Sequence, residues 1–495
     1  MSIKNLSLKA LREQITAGTR EATFKTDDGA LTQMVYIPKF RVPTGLWESG
    51  TFPAKDLELG GFFVDKYQCS HKAATPLSSG VSDNITIAAA DTTNIPVALP
   101  GRVPWGNISW PNAKQACANR KINGTACHLM TMKEWSTICF LIKILGHDIR
   151  GNNNWGRDYR DTNVFENKGV TDSTLVGYNA SNSQPVSRIL TGSGPISYSH
   201  NGMANGVFDL VGNMWEWLDF YITDGIYTHS KKALINDSDG ITASDTTITL
   251  DNMVAGDTWP SSGMIKIESE YIMYGTIDYQ GNGVAVLSNC TRAVKSSTAA
   301  THADNVTVAQ LTDYCITPGG ATAYINTSSG IAAAATTIPF TGFVGSYGCN
   351  SFSIGDTLQC ESEQMVITAV NSSVLTVTRG ANGTTAAAHA NSIAISKASP
   401  QMTLDSNGYQ VGYMTTLRTE DDLASLGIPK TAASQTDEYK DGFWTNSGGV
   451  RCARRGGDWS NAATTRAGFA LHMLNVASDY SISIGFRAAL SLDNL

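Results

Sequence analysis

Apolar and polar residues change period several times along this chain, and each change predicts an element. Leu8, Leu11 and Ile15 recur at helical spacing while Lys9, Arg12, Glu13 and Gln14 fall largely on other faces, which predicts a short helix within residues 3–17. It either packs on its own domain or serves as a docking segment over residues 1–30. Met34 to Pro38 reads as a strand ended by proline, and Gly60 to Cys69 as a second strand with alternating large residues. Residues 75–100 are rich in Ser, Thr and Ala and predict a loop. Pro111 suits the first turn of a helix. Leu129 to Trp135 opens another, with Thr131 and Glu134 at capping-box spacing and apolar residues at helical intervals to about Leu145.

Near the C-terminus the period disappears. Arg455-Gly456-Gly457-Asp458-Trp459 and Ile484-Gly485-Phe486-Arg487 each join glycine to an aromatic and a cation, and the residues between them follow neither a helical nor an alternating pattern. This predicts a short strand, a long surface run and a return strand. Trp459 and Phe486 anchor the ends in a core, and the run between them is where a scaffold presents binding residues.

A different pattern fills the stretch from Ala233 to about Ile395, where one β-rich unit occurs twice. Gly240 to Ile248 repeats as Gly330 to Ile338, Glu268-Ser269-Glu270 as Glu361-Ser362-Glu363, and Thr291-Arg292 with His302 as Thr378-Arg379 with His389. The histidines and arginines of these repeats are expected to be packed, hydrogen-bonded structural residues.

With 495 residues the chain exceeds one ordinary core. Only 16% of residues are charged and the net charge is −7, which argues against a nucleic-acid surface. The N-terminus has no apolar core of signal-peptide length, and no stretch approaches a membrane span. Nine cysteines are spread without a Cys-x-x-Cys pair, so zinc and redox motifs are absent and buried, reduced thiols are expected.

The order of these segments resembles a known family. GFFVDKYQC, VPWGNISWPNA, LMTMKEW and NGVFDLVGNMWEW, closed by RGGDW and IGFR, are similar to the signature of the formylglycine-generating-enzyme type of C-type lectin fold. The Gly/Asn-rich loop Gly151 to Asp158, the approach Asp441 to Gly449 and the long C-terminal run resemble the variable proteins of diversity-generating retroelements. Those elements rewrite adenines, so that Asn-type codons never reach Lys, Glu or Gln. Residues 458–483 contain none of the three. The ending TRGANGTTAAAHA resembles a repeat of phage tail, baseplate and fibre proteins.

The resemblance implies an α+β fold, a C-type lectin-like domain of the formylglycine-generating-enzyme subtype interrupted by two small all-β modules. An N-terminal segment 1–30 would precede the first stretch of the lectin-like domain at 31–232. The modules would follow at 233–310 and 323–400, and the lectin-like domain would resume at 401–495 with its variable region at 455–487. The resemblance further implies a hypervariable receptor-binding protein of a virion, at a tail or fibre tip, that recognises a host cell-surface protein or glycan. Virion tail or fibre components would be its other partners, with no nucleic acid and no membrane insertion, and a homo-oligomeric trimer suits a fibre. A prokaryotic surface adhesin of the same fold is the alternative.

The implied contact residues are Asp458, Ser460, Asn461, Thr464, His472, Leu474, Asn475, Asp479, Tyr480, Ser481, Ile482 and Ser483. Tyr480 is the principal anchor, with Leu474, Ile482 and His472 as an apolar patch around it. Trp215, Trp217, Trp459, Phe469 and Phe486 frame the face, and Arg455 and Arg487 brace it. Copper oxidases of the family hold their metal with two cysteines, where this chain has Asn461 and Arg466. No Gly-x-Ser-x-Gly, His-Glu-x-x-His or P-loop motif occurs either. The expectation is therefore no enzyme and no cofactor, with a structural calcium ion the one addition the resemblance allows.

Overall fold

The computed structural model describes residues 8–46, 53, 56–163, 168–175, 188–254, 258–316, 322–344, 351–398, 403–404, 410–420, 422–433, 441–446, 448–460 and 468–491. The chain forms two compact units. One comprises Met1–Tyr221, Thr403–Asn446 and Val450–Leu495, and the other Ile222–Met402 with Ser447–Gly449.

The expected α+β, C-type lectin-like fold class is overturned. Among the described residues the protein is mostly β, with 39% strand against 11% helix, large sheets and a six-stranded closed barrel. Helical periodicity extends over only three α-helices among the described residues: Leu8–Gly18, Trp110–Asn119 and Met132–Leu145. The remaining regular structure satisfies its backbone by pairing strands that are distant in sequence.

In the first unit, a five-stranded sheet runs in the order Arg20–Lys25, Leu31–Ile37, Phe62–Asp65, Ala488–Ser491 and His128–Leu129. Only Phe62–Asp65 of the expected strand 60–69 is extended in this sheet. The chain then bends, and Ser70–His71 pairs with Pro96–Val97 inside the expected loop. Leu11 and Ile15 are buried, so the N-terminal helix packs on the protein, and its Arg12 donates to Ile144 O. The helix Met132–Leu145 begins in a complete capping box at Thr131 and Glu134 and ends at Gly146 in the left-handed conformation. Trp105, Cys117, Trp215, Trp217, Ile484 and Phe486 share one core.

A second sheet of this unit carries the functional candidates. Trp215 to Trp217 pairs in parallel with Ile484–Phe486, Val450–Arg455 pairs antiparallel with Leu471–Met473, and Leu471–Met473 pairs in parallel with Gly442–Thr445.

In the second unit, Ile226–Ile235 pairs antiparallel with Thr307–Cys315, which also pairs with Gly263–Ile267. Residues 322–397 contain the closed barrel, with Thr322–Ile325 joined to both Thr337–Phe343 and Ala394–Lys397. Each repeat has its own apolar core, around Ile248, Ile265 and Leu287 in the first and around Ile338, Leu358 and Leu375 in the second.

Candidate functional site

The C-terminal run is held at both ends by buried charge. Arg487 forms a fully buried pair with Glu216, at 2.9 and 3.0 Å, and donates to the carbonyls of Asp65 and Phe208. Arg455 is also fully buried and has carbonyls for partners, those of Leu426, Gly427 and Phe469. Burial pushes its pKa down to about 10. Both arginines therefore brace the frame. Gly456 has φ +93, and a Cβ there would lie 2.8 Å from Leu210 O, so the turn after the strand admits only glycine. Trp215, Trp217, Trp459, Phe469 and Phe486 are all buried, and Trp217 donates from its indole to Ile108 O.

Between these ends the backbone of residues 474–483 is tied to surrounding elements through its carbonyls. Leu474 O accepts from Arg451, Asn475 O from Cys452 N–H, Ala477 O from Trp110 N–H and Ser481 O from Asn107 N–H. Ile482 O accepts from Arg188 at 2.7 Å, and Ser483 O from Trp215 N–H at 2.9 Å. Every one of these donors lies outside the segment. Side chains of the segment bond chiefly to the segment itself: Asp479 accepts from Asn475 Nδ2 and Val476 N–H, and the Ser481 and Ser483 hydroxyls meet at 3.2 Å.

The twelve expected contact residues divide accordingly. Tyr480 is 52% exposed, and Ser460 is exposed. Leu474, Asn475, Asp479, Ser481, Ile482 and Ser483 are half-buried along the tied run. Asn461 and Thr464 lie outside the described residues. Asp458 is only 8% exposed and turns inward to accept from Ser460 N–H and Oγ, which makes it a turn-forming residue. Burial raises its pKa against those bonds and the charge of Arg454.

His472 also differs from expectation. Its ring centroid lies 5.4 Å from that of Trp215 and 5.7 Å from that of Trp444, and Arg454 Nη2 donates to its Nε2 at 3.1 Å. Arg454 in turn lies over the Trp215 ring, 5.1 Å from its centroid. The four residues come from four strands, in register at Arg454 and His472 and at His472 and Trp444. They form a row, Trp215–Arg454–His472–Trp444. Trp444 folds back over Gly442, where a Cβ would lie 2.1 Å from the indole. Burial, then the Arg454 charge, holds the His472 pKa well below the ordinary histidine value. Burial pushes Arg454 down to about 10 despite Asp458 and Asp479 nearby. Sequence reasoning missed Arg454 and Trp444. The available signal was their spacing, Arg454 alternating with buried Arg455 and Trp444 two residues after Gly442.

The second unit contains a four-residue cluster in each repeat. Arg292 makes a two-pronged pair with buried Glu270, at 2.8 and 2.7 Å, and Arg379 makes the equivalent pair with Glu363, at 2.7 Å on both prongs. His302 bridges Glu268 and Glu270, and His389 bridges Glu361 and Glu363. These are the fixed structural bonds expected of the repeated Arg and His. Cys69, Cys117, Cys127, Cys139, Cys290, Cys360 and Cys452 are buried free thiols. Among the described residues, no group of three or more His, Cys, Asp or Glu side chains could hold a metal ion. No protein-family model matches the chain, and no curated protein matches it.

Proposed function

We propose that this protein is a ligand-recognition protein of a virion, carried at a tail or fibre tip, whose contact residues within 458–483 are diversified by a retroelement. The observation that carries this reading is the main-chain anchoring of residues 474–483. A carbonyl is present whatever the side chain, so bonds to carbonyls hold the path of the chain while its side chains change. Tyr480 supplies a large amphipathic contact with few rotatable bonds. Ser460, Leu474, Asn475, Asp479, Ser481, Ile482 and Ser483 surround it in sequence as adjustable contacts. The buried pair of Arg487 with Glu216 and the carbonyl bonds of Arg455 keep both ends fixed.

The mechanism is non-covalent recognition of a host-surface molecule, with modest affinity per site raised by several copies on one particle. The two β repeats serve as spacer or attachment modules. Sequencing codons 455–487 across a natural population of this genetic element tests the reading. Substitutions gathered at Asn-type codons, with Arg455-Gly456-Gly457, Trp459 and Ile484 to Arg487 constant, are the expected result. Uniformly low variation across the segment would overturn it.

A further inference from the structure

Beside the tied segment, the row Trp215–Arg454–His472–Trp444 contains a cation whose own needs are incompletely met. Arg454 is half-buried, and its Nε is buried with no partner. Its Nη2 donates to His472, a neutral acceptor, and among the described residues no carboxylate is bonded to it. A guanidinium has five N–H donors, so most of its capacity is open. The two carboxylates near enough to act on it through space are engaged elsewhere. Asp458 accepts from Ser460, and Asp479 from Asn475 and Val476. Three fully buried arginines of this unit contrast with it. Arg120 and Arg487 have full carboxylate partners, and Arg455 is surrounded by carbonyls.

An uncompensated cation in a half-buried site costs stability, and the surrounding row holds this one rigid. Trp215 lies under the guanidinium, His472 bonds it edge-on, and Trp444 packs against His472 over Gly442. None of Trp215, Arg454 and Trp444 lies within 458–483. His472 does, so a fixed cation and its two tryptophans meet the adjustable segment at this residue.

We infer that Arg454 is the constant anchor of the binding face and takes a carboxylate from an acidic side chain of a protein ligand, flanked by Trp215, His472 and Trp444. This rests on the recognition reading above and names the ligand chemistry for it. A carboxylate would fill the open donors with charge-assisted bonds. Arginine and tryptophan are also the residues around which protein interfaces concentrate their affinity.

The test uses the full chain carrying 15N-labelled tryptophan, with the Trp215 and Trp444 indole signals assigned through Trp→Phe variants. N-acetyl-aspartate N-methylamide is titrated against its neutral isostere, N-acetyl-asparagine N-methylamide. The aspartate probe is expected to shift these signals to saturation, and the asparagine probe to bind at least about tenfold more weakly, the margin of one charge-assisted bond. Arg454→Gln, with its melting temperature retained, is expected to abolish the aspartate shift. If that variant fails to fold, the two-probe comparison on the unaltered chain decides alone. Equal responses to both probes, or none to either, would overturn the anchor. Saturation by methyl glucuronide at lower concentration than aspartate would overturn the choice of a protein ligand in favour of an acidic glycan. A failed anchor leaves the codon-variation test intact, and invariant codons leave a saturating aspartate signal intact, so the two failures are separable.

Discussion

Arg454 donates from Nη2 to His472 Nε2 at 3.1 Å, across two strands on which the two residues are register partners. Nε2 must accept, so the ring is neutral in the fold. Burial and the guanidinium both favour that form. An unfolded histidine titrates near ~6.5, so below that pH the unfolded chain binds a proton the folded chain refuses. Stability from this residue is complete above about 6.5 and is lost as pH falls toward the depressed folded value. Lowering pH from about 7.5 to about 5 is expected to depress the melting temperature of the unaltered chain more than that of His472→Asn. Parallel curves would show that the pair imposes no such linkage.

Asp209 has the opposite sign. Burial raises its carboxyl to about 6, against the Gly192 N–H bond and the charge of Arg487. A raised carboxyl contributes stability below its unfolded value of ~3.9 and loses it as pH rises through the folded one. Asp209 also has φ +60, which asparagine tolerates. Asp209→Asn should therefore gain on the unaltered chain by about 1–3 kcal/mol between about pH 4 and pH 7. Denaturant titrations at the two pH values measure that difference, and a constant gap would contradict it.

Main-chain anchoring separates path from side chain. Alanine at Tyr480, Leu474 or Ile482 should cost no more than about 1 kcal/mol in unfolding experiments. Arg188 should behave differently, because it holds Ile482 O and is paired with fully buried Asp172 at 2.6 Å. Arg188→Ala is expected to cost about 3 kcal/mol by stranding that carboxylate. Equal costs at Tyr480 and Arg188 would contradict the division.

The paired clusters of the second unit give matched predictions. Burial alone would raise Glu270 and Glu363, but hydrogen bonds led by Arg292 and by Arg379 hold each at about 2. A depressed carboxylate contributes stability above its unfolded value of ~4.3 and loses it as pH falls toward the folded one. At neutral pH, Glu270→Gln should destabilise its module by about 3 kcal/mol. Faster amide exchange should appear within 233–310, and Glu363→Gln should do the same within 323–400. Exchange that rises equally in both stretches would show that the clusters do not act locally.

The legible features of the sequence were those governed by short-range rules. The Thr131–Glu134 capping box, the glycine turn at Gly456 and the repeated Arg and His each depend on neighbours at fixed offsets or on the repeat itself. The sheet topology was not legible, because its pairings join distant stretches, such as Phe62–Asp65 with Ala488–Ser491. Asp458 looked like a surface residue because it opens a polar run, yet its carboxylate closes a turn with Ser460 and is buried there. Arg454 and Trp444 escaped notice because the row they join exists only once three strands are in register.

Glu268, Glu270, Arg292 and His302 lie in one unbroken stretch, Ile241–His302, together with the segment near Ile241 and Thr242 that Arg292 and His302 fasten. A duplication of that stretch copies the fastening together with what it fastens. The second copy needs no compensating change elsewhere in the chain to close its own loop at Ile331. Such a unit is portable: it can be added, lost or exchanged in whole numbers, because each copy carries its own fastening.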